Sequence, residues 1–180
     1  MKILLFSCLL ILNYLIFYRK RINKFMDTFS HALWGKGLFG YKKYRYLPFL
    51  FGAAPDLCAF IPNLFFKIFK GNFSFGKPEI SSIPDWVMML YNFGHSFITA
   101  FFVVFFLYLI GKKMMSYAAL AWPFHIMLDF PFHTKEFFPT KIFYPISDFH
   151  FDGISWASPE VWFTNIALLV LIFVYRYVKN

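Results

Sequence analysis

Residues 86–110 form a run of 25 largely apolar residues. A run of that length crosses a hydrocarbon core of about 30 Å with some tilt, and in hydrocarbon every backbone N–H and C=O must find its partner within the chain. Helices meet that demand segment by segment, whereas an open sheet leaves its edges unpaired. Further apolar runs lie at residues 3–18, 46–66, 114–130 and 161–175. The first is about 24 Å long as a helix, slightly short for a span but workable with Tyr18 and Arg19-Lys20-Arg21 as interfacial anchors. No small-residue cleavage site follows it, so an uncleaved anchor is expected rather than a signal peptide. The expected fold is all-α, a multi-pass integral membrane helical bundle of about five spans. Its parts would be an N-terminal anchor span with a basic linker (1–25) and a membrane-embedded domain (26–180).

Composition agrees with a membrane setting. Hydrophobic residues make up 59% and aromatic residues 25% of the chain, with 29 phenylalanines against 15% charged residues. A net charge of +9 would suit nucleic acid, but the basic residues gather beside apolar runs. Alternate crossings from an outside N-terminus put residues 19–45, Lys112-Lys113, Arg176 and Lys179 in the cytoplasm. Twelve of the eighteen basic residues then lie inside, as the positive-inside rule asks. The expected location is the cell membrane, with membrane lipid as partner and no nucleic acid. Cys8 and Cys58 lie in apolar stretches without a Cys-x-x-Cys, which supports neither a disulfide framework nor a thiolate zinc site.

The second constraint is the set of ionisable residues inside these runs. In Trp122-Pro-Phe-His-Ile-Met-Leu-Asp-Phe-Pro-Phe-His133, His125 and Asp129 stand four apart, which on a helix puts them on one face with Cβ atoms roughly 6 Å apart. Pro131 should end or kink that helix. Asp56 follows Gly52-Ala-Ala-Pro55, His95 follows Gly94, and His31 follows Asp27 or Thr28 as the cap of a short helix near the interface. Buried polar groups are costly singly, and a divalent metal would satisfy all five together. Imidazole and carboxylate without thiolate suit Zn²⁺ first and Mn²⁺ or Fe²⁺ as alternatives, in a catalytic rather than a closed structural site. Two ions sharing Asp56 or Asp129 would leave the site electropositive and attractive to an anionic substrate such as a phosphoester.

Duller readings exist for each residue. His125 and Asp129 can hydrogen-bond each other, Asp56 can meet a snorkelling Lys67 or Lys43, and His133, Asp148, His150 and Asp152 can be solvated loop residues. Ser96 lacks a Gly-x-Ser-x-Gly context. Full spans would separate His31 on the inner side from His125 and Asp129 near the outer side by 20 Å or more. Sharing an ion then requires residues 26–40 to re-enter the membrane or some spans to be short tilted helices; otherwise His31 is not a ligand. The rival function is a non-catalytic transporter or assembly factor using the same residues as an ion path or structural site.

Asp27-x-x-Ser-His31-Ala-Leu-Trp-Gly, Gly52-Ala-Ala-Pro-Asp56, Gly94-His95-Ser96 and His125-x-x-x-Asp129 occur in an order and apolar setting that resembles the YdjM-like membrane-bound metal-dependent hydrolases. The trailing His133-Thr-Lys-Glu-Phe-Phe-Pro139, Pro145-Ile-Ser-Asp-Phe149 and Phe151-Asp-Gly-Ile-Ser-Trp156 are similar to the C-terminal loop of one branch of that family. The resemblance covers roughly residues 26–160. The chain departs from it in the added run at 3–18 and in Phe93-Gly94, where many members carry a basic residue. What the resemblance implies is a hydrolase-like domain over 26–180 that acts on a phosphoester or lipid-like small-molecule substrate by metal-assisted hydrolysis. It further implies catalytic parts for Asp56 and for His133 or Asp148, the last two as general acid or as the group that orients a ligand histidine.

Overall fold

The computed structural model describes residues 26–73 and 80–179. The run at 3–18, the basic residues 19–25, the turn at 76–78 and the Asp27 side chain lie outside the described residues. Within them the chain is all-helical, with α1 at Met26–Phe39, α2 at Leu47–Phe69, α3 at Asp85–Gly94, α4 at Phe97–Leu109, α5 at Lys113–Ala119, α6 at Ala121–Asp129 and α7 at Pro159–Lys179. One 3-10 turn, Ile80–Ser82, precedes α3.

Two of these helices, α2 and α7, are long and apolar enough to cross a membrane. The α3–α4 pair passes the same test as one unit bent by 53°. Helix α2 opens with proline in its first turn, where the missing N–H costs nothing, and runs unbroken through Pro55 and Pro62. Gly52 and Pro62, both candidate helix breakers, do not end it. Two other runs do break. Pro123 cannot bond the Ala119 carbonyl, and residues 114–130 become α5 and α6 on either side of Leu120. The long run at 86–110 breaks at Gly94-His95-Ser96. There the Ser96 side chain accepts from Ile98 N–H at 3.1 Å as the N-cap of α4 and donates to the Tyr144 carbonyl at 2.6 Å.

Helix α2 is the hub, contacting α1, α3, α5 and α6, while α7 leans on α1. Buried Asn165 of α7 accepts from Trp34 Nε1 at 2.7 Å and donates to Ser30 Oγ at 3.0 Å, both on α1. Arg176 donates to the Gly37 and Leu38 carbonyls, placing a cation where the α1 dipole is negative. Much of the outer surface is aromatic and aliphatic, including Phe65 and Phe69 on α2, Phe101, Phe102 and Phe105 on α4, and Phe163 and Leu171 on α7. Such a surface suits lipid rather than water.

Cations collect at one end. Lys42 lies over the Tyr117 ring, Arg176 over Tyr41, Lys36 over Tyr46 and Lys113 over Tyr108, while Tyr41 and Tyr117 share a 2.8 Å hydrogen bond. The opposite end carries the loop 130–158, which sends Phe138 into a core with Ala59, Ile83, Val87 and Tyr91, and Ile142 into a second core with Ala100 and Ile126. Backbone bonds from Gly153 to His133, Ile154 to Pro131 and Trp156 to Phe132 fold this loop over the end of α6.

Candidate metal centre

The five ionisable residues reach the interior from four places in the chain. Asp56 sits on α2 nine residues from its start, roughly 14 Å along a helix of about 35 Å. His95 occupies the break between α3 and α4, and His125 and Asp129 share one face of α6 at the expected four-residue spacing. His31 lies in the second turn of α1. Close approach is provided by glycine. A Cβ at Gly52 would lie 2.5 Å from the His31 carbonyl oxygen, and one at Gly94 would lie 2.7 Å from that of Pro55. Only hydrogen at these two positions lets α1 and α3 touch the α2 backbone beside Asp56.

His31, Asp56, His95, His125 and Asp129 converge, each between 0 and 6% exposed. His95 Nε2 and His125 Nε2 are 3.1 Å apart, and they lie 3.1 and 3.0 Å from Asp129 Oδ2. Asp56 Oδ1 stands slightly outside this triangle, 3.4 Å from His95 Nε2 and 3.9 Å from His125 Nε2. On the far side of Asp129, Oδ1 is 2.8 Å from His31 Nε2. The separation of 20 Å or more that full spans would impose on His31 is absent, because α1, α6 and the α3–α4 break all meet α2 at the depth of Asp56. Short helices ending at that depth are what allow it.

The backbone sets the tautomers. His95 Nδ1 is 2.9 Å from the Tyr91 carbonyl oxygen and His125 Nδ1 is 2.6 Å from that of Gly52. A carbonyl only accepts, so both Nδ1 atoms carry the proton and, in the neutral rings, both Nε2 atoms present lone pairs to the centre. Two imidazole lone pairs and two carboxylate oxygens then face one another within 4.8 Å, an arrangement that repels unless a cation lies among them. For ligand bonds of about 2.0–2.1 Å, tetrahedral ligand atoms stand about 3.3 Å apart. The three edges of the His95–His125–Asp129 triangle come close to that. This buried Asp/His group can hold a metal ion, and its donor set leaves open which metal.

Residues around the cluster fix its carboxylates. Thr28 Oγ1 donates to Asp56 Oδ2 at 2.5 Å, and Trp156 Nε1 donates to Asp129 Oδ1 at 3.2 Å. Tyr91 stacks on His95 with centroids 3.8 Å apart and donates its hydroxyl to the Phe138 carbonyl. Thr28 lies inside the first turn of α1 rather than capping it, and its hydroxyl serves Asp56 instead. Sequence reasoning missed this bond, the Trp156 bond, and the two orienting carbonyls. The hydroxyl two residues into a capping motif and the lone tryptophan of a polar loop are visible signals for the first two. A backbone carbonyl carries none.

The loop residues divide. His133 stays beside the cluster, half-buried, with Nδ1 3.6 Å from Asp129 Oδ1 and 3.3 Å from both Thr140 Oγ1 and the Asp129 carbonyl oxygen. Asp148 lies on the exposed face of the loop with 77% of its side chain accessible, paired to Lys141 at 2.7 Å, and it does not reach the cluster. That hydrogen bond and the Lys141 charge hold its carboxyl below the usual range. Asp152 is likewise exposed and held low, chiefly by the Lys135 backbone N–H. His150 Nδ1 donates to the nearby Asp148 carbonyl oxygen at 2.9 Å.

Comparison with protein-family models, with curated proteins and with solved structures finds no match to this chain.

Proposed function

We propose that this chain is a multi-pass integral-membrane metal-dependent hydrolase of the YdjM-like kind, resident in the cell membrane and acting on a phosphoester or lipid-like substrate. The single observation that carries the reading is the triangle of His95 Nε2, His125 Nε2 and Asp129 Oδ2, buried at mid-depth, with a second carboxylate just outside it. Three protein ligands with one looser position is the ligand count of catalytic rather than structural zinc sites. When bound, a divalent ion would acidify a water to a pKa of about 7 and polarise the scissile oxygen.

The residues divide that work. His95 and His125, with their tautomers set by the Tyr91 and Gly52 carbonyls, and Asp129 hold the ion. Asp56 Oδ1, on the open side of the triangle and oriented through Thr28, takes the proton of the attacking water. His133, at the loop edge of the cluster, is the group placed to protonate the leaving oxygen. Asp148 is withdrawn from that role by its position on the outer face of the loop.

A second reading, a structural ion in a non-catalytic transporter or assembly factor, draws on the near-complete enclosure of the cluster beneath the 130–158 loop. Detergent-purified protein assayed on phosphomonoesters, phosphodiesters and phospholipids, with and without chelator, separates the two. The hydrolase reading expects stoichiometric transition metal, chelator-sensitive turnover, and loss of both in Asp129→Asn and His125→Ala. Bound metal without turnover favours the structural ion. A folded wild-type protein free of transition metal removes the basis of both.

A further inference from the structure

The two aspartates of the cluster are used differently. Asp56 turns one oxygen to the imidazoles and the other to the Thr28 hydroxyl. Asp129 turns each oxygen to a different imidazole. Oδ2 faces His95 and His125, and Oδ1 faces His31 at 2.8 Å with His133 Nδ1 at 3.6 Å. The rings of His31 and His125 lie nearly side by side, with centroids 3.9 Å apart and planes 34° from parallel, each aimed at one oxygen of the same carboxylate. Each imidazole with its own carboxylate oxygen would hold a separate ion, and paired ions of this kind serve phosphoryl chemistry. Trp156 Nε1 also donates to Oδ1, which a carboxylate oxygen accommodates beside an ion because it has two lone pairs.

We infer that Asp129 bridges two divalent cations, the first held on Oδ2 with His95 and His125, with Asp56 beside it, and the second on Oδ1 with His31 as its imidazole ligand and His133 at its edge. The inference rests on the metal-centre reading above and goes beyond it by adding a second ion. Two dications against two carboxylates leave a local charge of about +2, and dinuclear sites clamp the attacking and leaving oxygens of a phosphoryl group. The substrate class that follows is a phosphate ester, with its non-bridging oxygens between the ions.

The test is the metal content of the full-length protein in detergent, by elemental analysis, after loading with Mn²⁺ and removal of excess, together with its electron paramagnetic resonance spectrum. Two equivalents per chain with an exchange-coupled spectrum are expected, falling to one equivalent and a six-line spectrum in His31→Ala. His133→Ala, altered at the half-buried loop edge, serves if His31→Ala fails to fold, and should bind the second ion at least tenfold more weakly. One equivalent in the wild type overturns the inference and leaves the mononuclear hydrolase intact. No metal in the wild type overturns the proposed function itself. Two equivalents retained in both variants also overturn the assignment of His31 and His133.

Discussion

Replacing Gly52 by alanine tests the packing that assembles the centre. The new Cβ would stand 2.5 Å from the His31 carbonyl oxygen, 3.1 Å from its carbon and 3.2 Å from Ala32 Cα, all backbone of α1. Ordinary contact begins near 3.4 Å, so α1 and α2 must part by about 0.9 Å, and no rotamer change can absorb that. Overpacking of this kind costs about 1–3 kcal/mol. The strain also falls on the site, because the Gly52 carbonyl fixes the His125 tautomer and His31 rides on the displaced helix. Loss of such an orienting contact weakens metal binding about 10–100-fold. Gly37→Ala is the matched control. The three atoms nearest its Cβ belong to the Ile172 side chain, the first at 3.1 Å, which a shift of a few tenths of an ångström relieves. The assay is residual metal after dialysis against graded chelator, with the thermal midpoint in the same detergent. Gly52→Ala should lose metal at lower chelator and melt earlier, and Gly37→Ala should track the wild type. The packing argument is refuted if Gly52→Ala keeps both properties, or if Gly37→Ala is equally impaired.

Thr28→Val keeps the shape of the side chain but removes the hydrogen bond to buried Asp56, a bond to a charged group worth about 1.5–3 kcal/mol. Chelator titration should show metal retained about tenfold or more weakly, with Thr28→Ser restoring it. Asp148→Asn should leave metal content and thermal midpoint unchanged, since Asp148 is exposed and paired to Lys141 rather than to the cluster; a loss of metal would reinstate Asp148 in the site. Asp148 and Asp152 both have carboxyls held below their ordinary value in the folded loop, by Lys141 and by the Lys135 backbone N–H respectively. A lowered folded value means that their contribution is complete above about pH 3.9 and is lost as pH falls through the lower folded value. Cleavage of the 130–158 loop by an acid-active protease should therefore stay constant from pH 7 to about 4.5 and rise below it. Asp152→Asn should raise cleavage between pH 7 and about 4.5 and converge on the wild type as pH falls further.

The amino-acid order alone determined that the chain is helical, apolar and studded with a few ionisable residues that cannot stand alone. It also placed His125 and Asp129 on one face, because a four-residue spacing is a local property of the helix. It did not reveal the depth at which segments stop. Read as full spans, residues 86–110 and 114–130 put His31 on the wrong side of the membrane. Pro123 and the Gly94–Ser96 break turn these runs into short helices that end beside Asp56. Proline and serine are visible in a sequence, but whether they break a helix depends on what packs against it, and Pro55 and Pro62 leave α2 whole.

Only the tertiary structure decided that His133 stays at the cluster while Asp148 leaves it, and that Asp129 offers both oxygens while Asp56 offers one. Those outcomes depend on the register between helices distant in sequence, set where α2 meets the glycine-lined backbones of its neighbours, and on carbonyl oxygens that every residue possesses. Side-chain chemistry is written residue by residue. The geometry that makes it a site is a property of how the helices meet.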